Sequence, residues 1–245
     1  MNSFLLLTAA GVAAGLTGTI AGLASLFSYP ALLATGLPPT AANVTNTVAL
    51  AFGSLGVLPG SRRELTGQRA AVRHLGVACA AGAAVGAALV LVLPPDVFEV
   101  VVPFLIGGAS LAILLWRQPE TTDERAARPW LTTVGVFGTS VYGGYFAAAS
   151  GVLVLALLLA TTGEGLLRAN ALKNVLMLVI DIVAAVGFAL FGPVSWTAVL
   201  PLAIGLLIGS WLGPVLARRL PTGLLRVAIA IAGLGLAVKL AVDTY

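Results

Sequence analysis

The sequence predicts an all-α polytopic membrane protein, and three observations carry that prediction. Of 245 residues, 59% are hydrophobic and only 9% are charged, with a mean hydropathy of +1.06; a water-soluble domain carries about 25% charged residues. Nine acids and thirteen bases cannot cover a soluble chain of this length. The apolar residues also fall into runs of membrane-spanning length, interrupted by one long polar stretch at 117–129.

A spanning helix needs about 20 apolar residues. Residues 4–23 supply one, and a short apolar run, 26–37, follows it. Runs 40–59, 71–93 and 97–116 each suffice to span. Beyond the polar stretch come 130–149, a short run at 151–161, then 168–191, 196–217 and 223–242. Pro59, Pro94, Pro95, Pro193 and Pro221 stand at segment ends, where proline punctuates helices. Glycines, 29 in all, are spread through the helices and permit close packing. The first segment has no Lys or Arg ahead of its apolar core, so it reads as a retained helix, not a cleaved signal peptide.

The chain divides into an N-terminal repeat (1–119), a cytoplasmic linker (120–129) and a C-terminal repeat (130–245). GVAAGLTG at 11–18 has a counterpart in GVFG at 135–138, and ANVTNT at 42–47 matches ANALKN at 169–174. Loop bases set the orientation through the positive-inside bias. Arg62, Arg63, Arg69 and Arg73 place 61–73 inside, and two crossings later Arg117, Arg125 and Arg128 are inside as well. Arg168, Lys173, Arg218, Arg219 and Arg226 join them only if 130–161 leaves the cytoplasmic side and returns to it. Segments 130–149 and 151–161 therefore form a re-entrant hairpin, and by duplication so do 4–23 and 26–37. With five segments per half, the halves are inverted relative to each other, a recurrent transporter architecture. Arms of eleven or twelve residues rise only about 17 Å, so the tips, near Ser25–Pro30 and Ala147–Gly151, are expected to meet inside the bilayer.

Each tip starts a short helix whose unpaired N–H groups and positive dipole end suit an anion. Pro30 suits a first helical turn, and Ser25, Ser28 and Ser150 offer hydroxyl donors. Asn43, Thr45, Asn46 and Thr47 open one long helix, and Asn170, Lys173 and Asn174 open its mate. Amides and hydroxyls bind oxyanions neutrally, with helix capping as their alternative use, and Lys173 either adds attraction or anchors the helix at the cytoplasmic face. Asp181 lies inside LVIDIVA, where a carboxylate is costly and marks a functional position; a proton-coupling role is expected, with a neutral, hydrogen-bonded structural Asp as the alternative. Tyr142 and Tyr145 are expected to pack, Cys79 to fill space, and His74 to sit at an interface. With one His and one Cys, and no HExxH, GxSxG or phosphate loop, the sequence offers no catalytic or metal-ligating set and calls for no cofactor.

At GLTGTIAG (15–22), YPALL (29–33) and LPPTAANVTNT (37–47), and again at YGGYFAAASGVLVLAL (142–157) with LRANALKN (167–174), the chain resembles the sulfite exporter TauE/SafE family of permeases. The similarity covers nearly the whole chain. It implies movement of sulfite, sulfoacetate and related organosulfonates, with Asn43, Asn46, Thr47, Asn170 and Asn174 as substrate-site candidates. The chain departs from the family pattern at 21–25 and 147–151, where a Gly-rich stretch is usual, and at Asp181, where Asn is more frequent. The expected function is secondary transport of a small anion across the inner (plasma) membrane by alternating access, proton- or potential-coupled. An anion channel, or transport of another small organic anion, is the alternative. The expected partners are the anion and the lipid bilayer, with a homodimer as a compatible assembly and no nucleic acid.

Overall fold

The computed structural model describes residues 2–56, 64–115, 129–217 and parts of 231–242. The described residues form helices and no strand: α1 (Asn2–Ala21), α2 (Ser25–Ala34), α3 (Pro39–Leu55), α4 (Arg69–Val92), α5 (Pro95–Leu115), α6 (Pro129–Tyr145), α7 (Ser150–Thr161), α8 (Leu166–Phe191) and α9 (Trp196–Ala217). These follow the expected segments closely. The last expected segment, 223–242, falls largely outside the described residues. So do the linker and eight of the loop arginines: Arg62, Arg63, Arg117, Arg125, Arg128, Arg218, Arg219 and Arg226.

Local chemistry sets the helix boundaries. Pro39, Pro95 and Pro129 open α3, α5 and α6, where the missing N–H has no intrahelical acceptor to lose. Gly36 and Gly163 follow α2 and α7 with φ of +88° and +69°, a left-handed stop that glycine adopts without a Cβ clash. Pro30 departs from expectation. It lies inside α2, not in its first turn, because the helix already starts at Ser25.

Two pairs of helices pack through glycine seams, each running parallel. A Cβ added to Gly11 or Gly15 of α1 would strike the carbonyls of Leu202 and Leu206 on α9. In α4, a Cβ at Gly82 or Gly86 would strike the carbonyls of Phe137 and Val141 on α6. In both seams a step of four residues on one helix meets a step of four on the other, the close approach that small residues four apart allow. Helices α4 and α8 also run parallel: the Gln68 amide donates to the Arg168 carbonyl at 3.3 Å, and the Cys79 thiol donates to the Leu176 carbonyl at 3.2 Å. Helices α3 and α8 cross antiparallel, joined by Ser54 with Asp181 at one end and by Thr45 with the Ser195 N–H at the other.

Apolar side chains also coat the outside. Val77, Val92, Leu190, Phe191, Trp196 and Trp211 each expose more than half of their surface. Soluble monomers rarely leave such surface in water. Among the described residues α4 and α8 are long and apolar enough to cross a bilayer, with mean hydropathies of 2.3 and 2.4. Lipid is the solvent that this surface fits.

Candidate functional site: a cavity where two helix breaks meet

The chain breaks its helical course twice in similar ways. Between α1 and α2, Gly22 takes φ +71°; between α6 and α7, Ala149 takes φ +57°, a left-handed backbone that costs a residue with a Cβ. The breaks touch. A Cβ on Gly22 would lie 3.0 Å from the Gly151 carbonyl carbon, so backbone packs on backbone there. Tyr142 fastens the second break by donating its hydroxyl to the Ala148 carbonyl at 2.6 Å. Starting a helix at a break leaves N–H groups without i−4 carbonyls. Among the described residues, the N–H groups of Ala24, Ser25 and Gly151 meet no backbone acceptor.

Beside the junction lies a cavity of about 70 Å³, lined by both breaks and by α1, α3, α8 and α9. A single water needs about 10–15 Å³ by this measure, so a small polyatomic ion fits. Helix α8 supplies Lys173, Asn174, Met177 and Asp181, which share one face; α3 supplies Ser54, and the first break supplies Ser25.

Lys173 and Asp181 are 3% and 2% exposed, so both charged groups are removed from solvent. The 8-residue interval separates them by about 12 Å along the helix axis. Among the described residues Lys173 has no hydrogen-bond or ion-pair partner; the ion pair present there joins Arg168 to Glu164 at 2.5 Å. Asp181 accepts a hydrogen bond from the Ser54 hydroxyl on one carboxylate oxygen, and its other oxygen is buried without a partner. An unpaired buried ammonium costs several kcal/mol. An anion in the cavity would supply the missing countercharge, and the open N–H groups of the breaks would share it.

The cavity thus brings together four of the residues singled out in the sequence: Ser25, Lys173, Asn174 and Asp181. The others lie outside its lining. Ser28 and Ser150 turn their hydroxyls onto the local carbonyls of Ala24 (3.1 Å) and Ala147 (2.9 Å). Thr47 donates to the Asn43 carbonyl at 3.0 Å, and Thr45 accepts from the Ser195 N–H at 3.0 Å. Asn43 donates its amide to the Tyr145 carbonyl at 2.9 Å, Asn46 is buried, and Asn170 is half-buried near the start of α8. Sequence reasoning passed over Ser54, Thr19 and Ser210 in the lining. One signal pointed to Ser54: it precedes Asp181 by 127 residues, the interval that also separates Asn43 from Asn170.

Comparison with known proteins decides the family. The profile described as "Sulfite exporter TauE/SafE" matches residues 7–240, nearly the entire chain. The chain belongs to the sulfite exporter TauE/SafE family. Relatives within reach of TauE/SafE similarity are named as transporters. The chain is 28% identical over 235 residues to "Probable membrane transporter protein ORF9" of a Sinorhizobium species, covering 94% of this chain and 89% of that one. It is 27% identical over 236 residues to "Probable membrane transporter protein YfcA" of Escherichia coli K12, covering 95% and 87%. A Haemophilus influenzae protein named "Probable membrane transporter protein" is 24% identical over 239 residues, covering 95% and 92%. No solved structure matches the chain. It is a TauE/SafE membrane permease, not an enzyme.

Proposed function

We propose that this permease is a secondary transporter that carries small sulfur oxyanions, such as sulfite or short organosulfonates like sulfoacetate, across the inner membrane. The observation that carries the reading is the buried Lys173, without a partner among the described residues, in the cavity where the open N–H groups of both helix breaks converge. Ser25 and Asn174 add polar contacts to the same space. Asp181 shares the cavity, so an anion enters most favourably when that carboxyl is protonated. Proton and anion then travel together, and the membrane potential acts on whatever charge remains.

Alternating access needs two arrangements of one site. The packing supports a pair of inverted repeats, α1–α5 and the segments from α6 onward, in a multi-pass chain. Replacing α1 by α6 and α4 by α9 maps the α1–α9 seam onto the α6–α4 seam, and α3 meets its counterpart α8 antiparallel. Inverted repeats with broken helices and a midplane site are a recurrent transporter design.

The test is uptake into proteoliposomes of sulfite, sulfate, thiosulfate, sulfoacetate and simple carboxylates at two pH values. Saturable, mutually competing uptake of sulfite and sulfoacetate that rises at the lower pH is expected. Non-saturable anion currents would instead make the protein a channel, and saturable uptake confined to carboxylates would move the substrate class.

A further inference from the structure

The second helix break has a polar cluster of its own, built from acceptors. Asn43 and Asn46 stand one turn apart on the same side of α3, each 1% exposed, and the side-chain oxygen of each is buried without a partner. The orientation of the Asn43 amide is fixed, because its nitrogen donates to the Tyr145 carbonyl at 2.9 Å and leaves the oxygen as the free atom. Tyr145 is the last residue of α6, where a helix ends with carbonyls that have no i+4 donor and a partial negative charge. Among the described residues the carbonyls of Gly143 and Gly144 receive no N–H from the break that follows. Tyr29, packed edge-on against Phe146 at 5.4 Å, ends in a buried hydroxyl without a partner. Phe98 of α5 packs on Phe146 at 6.1 Å, and the half-buried Glu99 follows it in sequence.

Buried carbonyl oxygens left unpaired cost about 1–3 kcal/mol each, so a cluster of them calls for an occupant. Oxygen ligands of this kind suit a hard cation, and mostly neutral ones suit a monovalent cation better than a divalent one. Helix C-terminal ends and unwound carbonyls hold such ions in other broken-helix transporters. Position 46 has a charged counterpart in the proposed repeat. It precedes Lys173 by the same 127 residues that separate Ser54 from Asp181, so α8 carries a built-in ammonium where α3 carries an amide oxygen.

We propose that Asn43, Asn46 and the carbonyl end of α6 form a binding site for a monovalent metal cation of the sodium or potassium class. The site goes beyond the anion cavity and does not depend on it. A cation held there would offset the charge of a transported anion and couple its movement to a cation gradient.

The experiment uses the purified full-length protein in nanodiscs, melted in sodium, potassium or choline chloride at equal ionic strength, with anion uptake measured in the same three salts. Sodium or potassium is expected to raise Tm by several degrees over choline, since a ligand bound only to the native state stabilises it, and to raise uptake severalfold. Asn43→Ala is expected to lose the response. Asn46→Lys, which sets an ammonium at the position matching Lys173, is expected to melt identically in all three salts. Should these variants not fold, the near-isosteric Asn46→Asp is expected to strengthen the cation response. Equal Tm and equal uptake of wild type in all three salts would mean that ordinary water satisfies these oxygens, and would overturn the site while leaving the anion reading intact. Failure of every anion to be taken up, with the cation shift in Tm preserved, would do the reverse.

Discussion

Helices α3 and α8, counterparts in the proposed repeat, carry different chemistry. At intervals of 127 residues, α3 offers Asn46, Thr47 and Ser54 where α8 offers Lys173, Asn174 and Asp181. Both sets are largely buried, and Ser54 and Asp181 meet directly. The cavity nevertheless gathers on the α8 side, at Lys173 and Asn174, while Asn46 and Thr47 stay outside its lining. Polar capacity alone therefore does not make the cavity. It gathers where α8 carries charged groups, and the unpaired amide oxygens of Asn43 and Asn46 on α3 stay outside it.

The most damaging way to erase that difference is to remove the ammonium. Lys173→Met is expected to lower kcat/KM for sulfite uptake by at least about 30-fold, since truncating one partner of a buried charge pair costs about 2–5 kcal/mol. Uptake kinetics in proteoliposomes check it, and a change below threefold would mean that Lys173 only anchors α8. Neutralising the other end comes next. If Asp181 must be protonated while the anion is bound, wild-type uptake falls by up to about tenfold per pH unit on the alkaline side, the limit for one proton. Asp181→Asn is expected to flatten that profile, and an unchanged profile removes Asp181 from coupling.

The two breaks permit a subtler comparison. Gly22 and Ala149 both sit at positive φ, but one lacks a Cβ and the other has one. Gly22→Ala is expected to destabilise the protein by about 1–3 kcal/mol, because the new methyl would also press on Gly151 at 3.0 Å. Ala149→Gly is expected to change stability by less than about 1 kcal/mol, in the stabilising direction, by relieving the left-handed strain. Thermal melts of both variants decide it, and opposite signs would mean that packing, not backbone strain, governs the breaks.

Much of this architecture is legible in the sequence, because spanning length, proline and glycine act locally. The run 168–191 and helix α8 (Leu166–Phe191), or 196–217 and α9, agree almost residue for residue. The broken arms were visible as runs too short to cross. Less legible was the depth of the site along its helices. Asn43, Asn46 and Asn170 attract the eye at the helix starts, yet the cavity lies further along, where Leu50, Ser54, Met177 and Asp181 line it among apolar neighbours. No pattern in one sequence tells which of several buried polar groups already spends its hydrogen bonds locally, as Ser28, Ser150 and Thr47 do.

Occupation of the cavity by the anion can be read directly with one cysteine. Cys79 is the single native cysteine and is buried, so Ser25→Cys in a Cys79→Ala background reports on the cavity alone. Sulfoacetate is expected to slow labelling of that cysteine by a small thiol reagent over the concentration range in which it is transported, and Lys173→Met is expected to abolish the protection. Labelling at the same rate with and without saturating sulfoacetate, while transport proceeds, would contradict a binding site between the helix breaks.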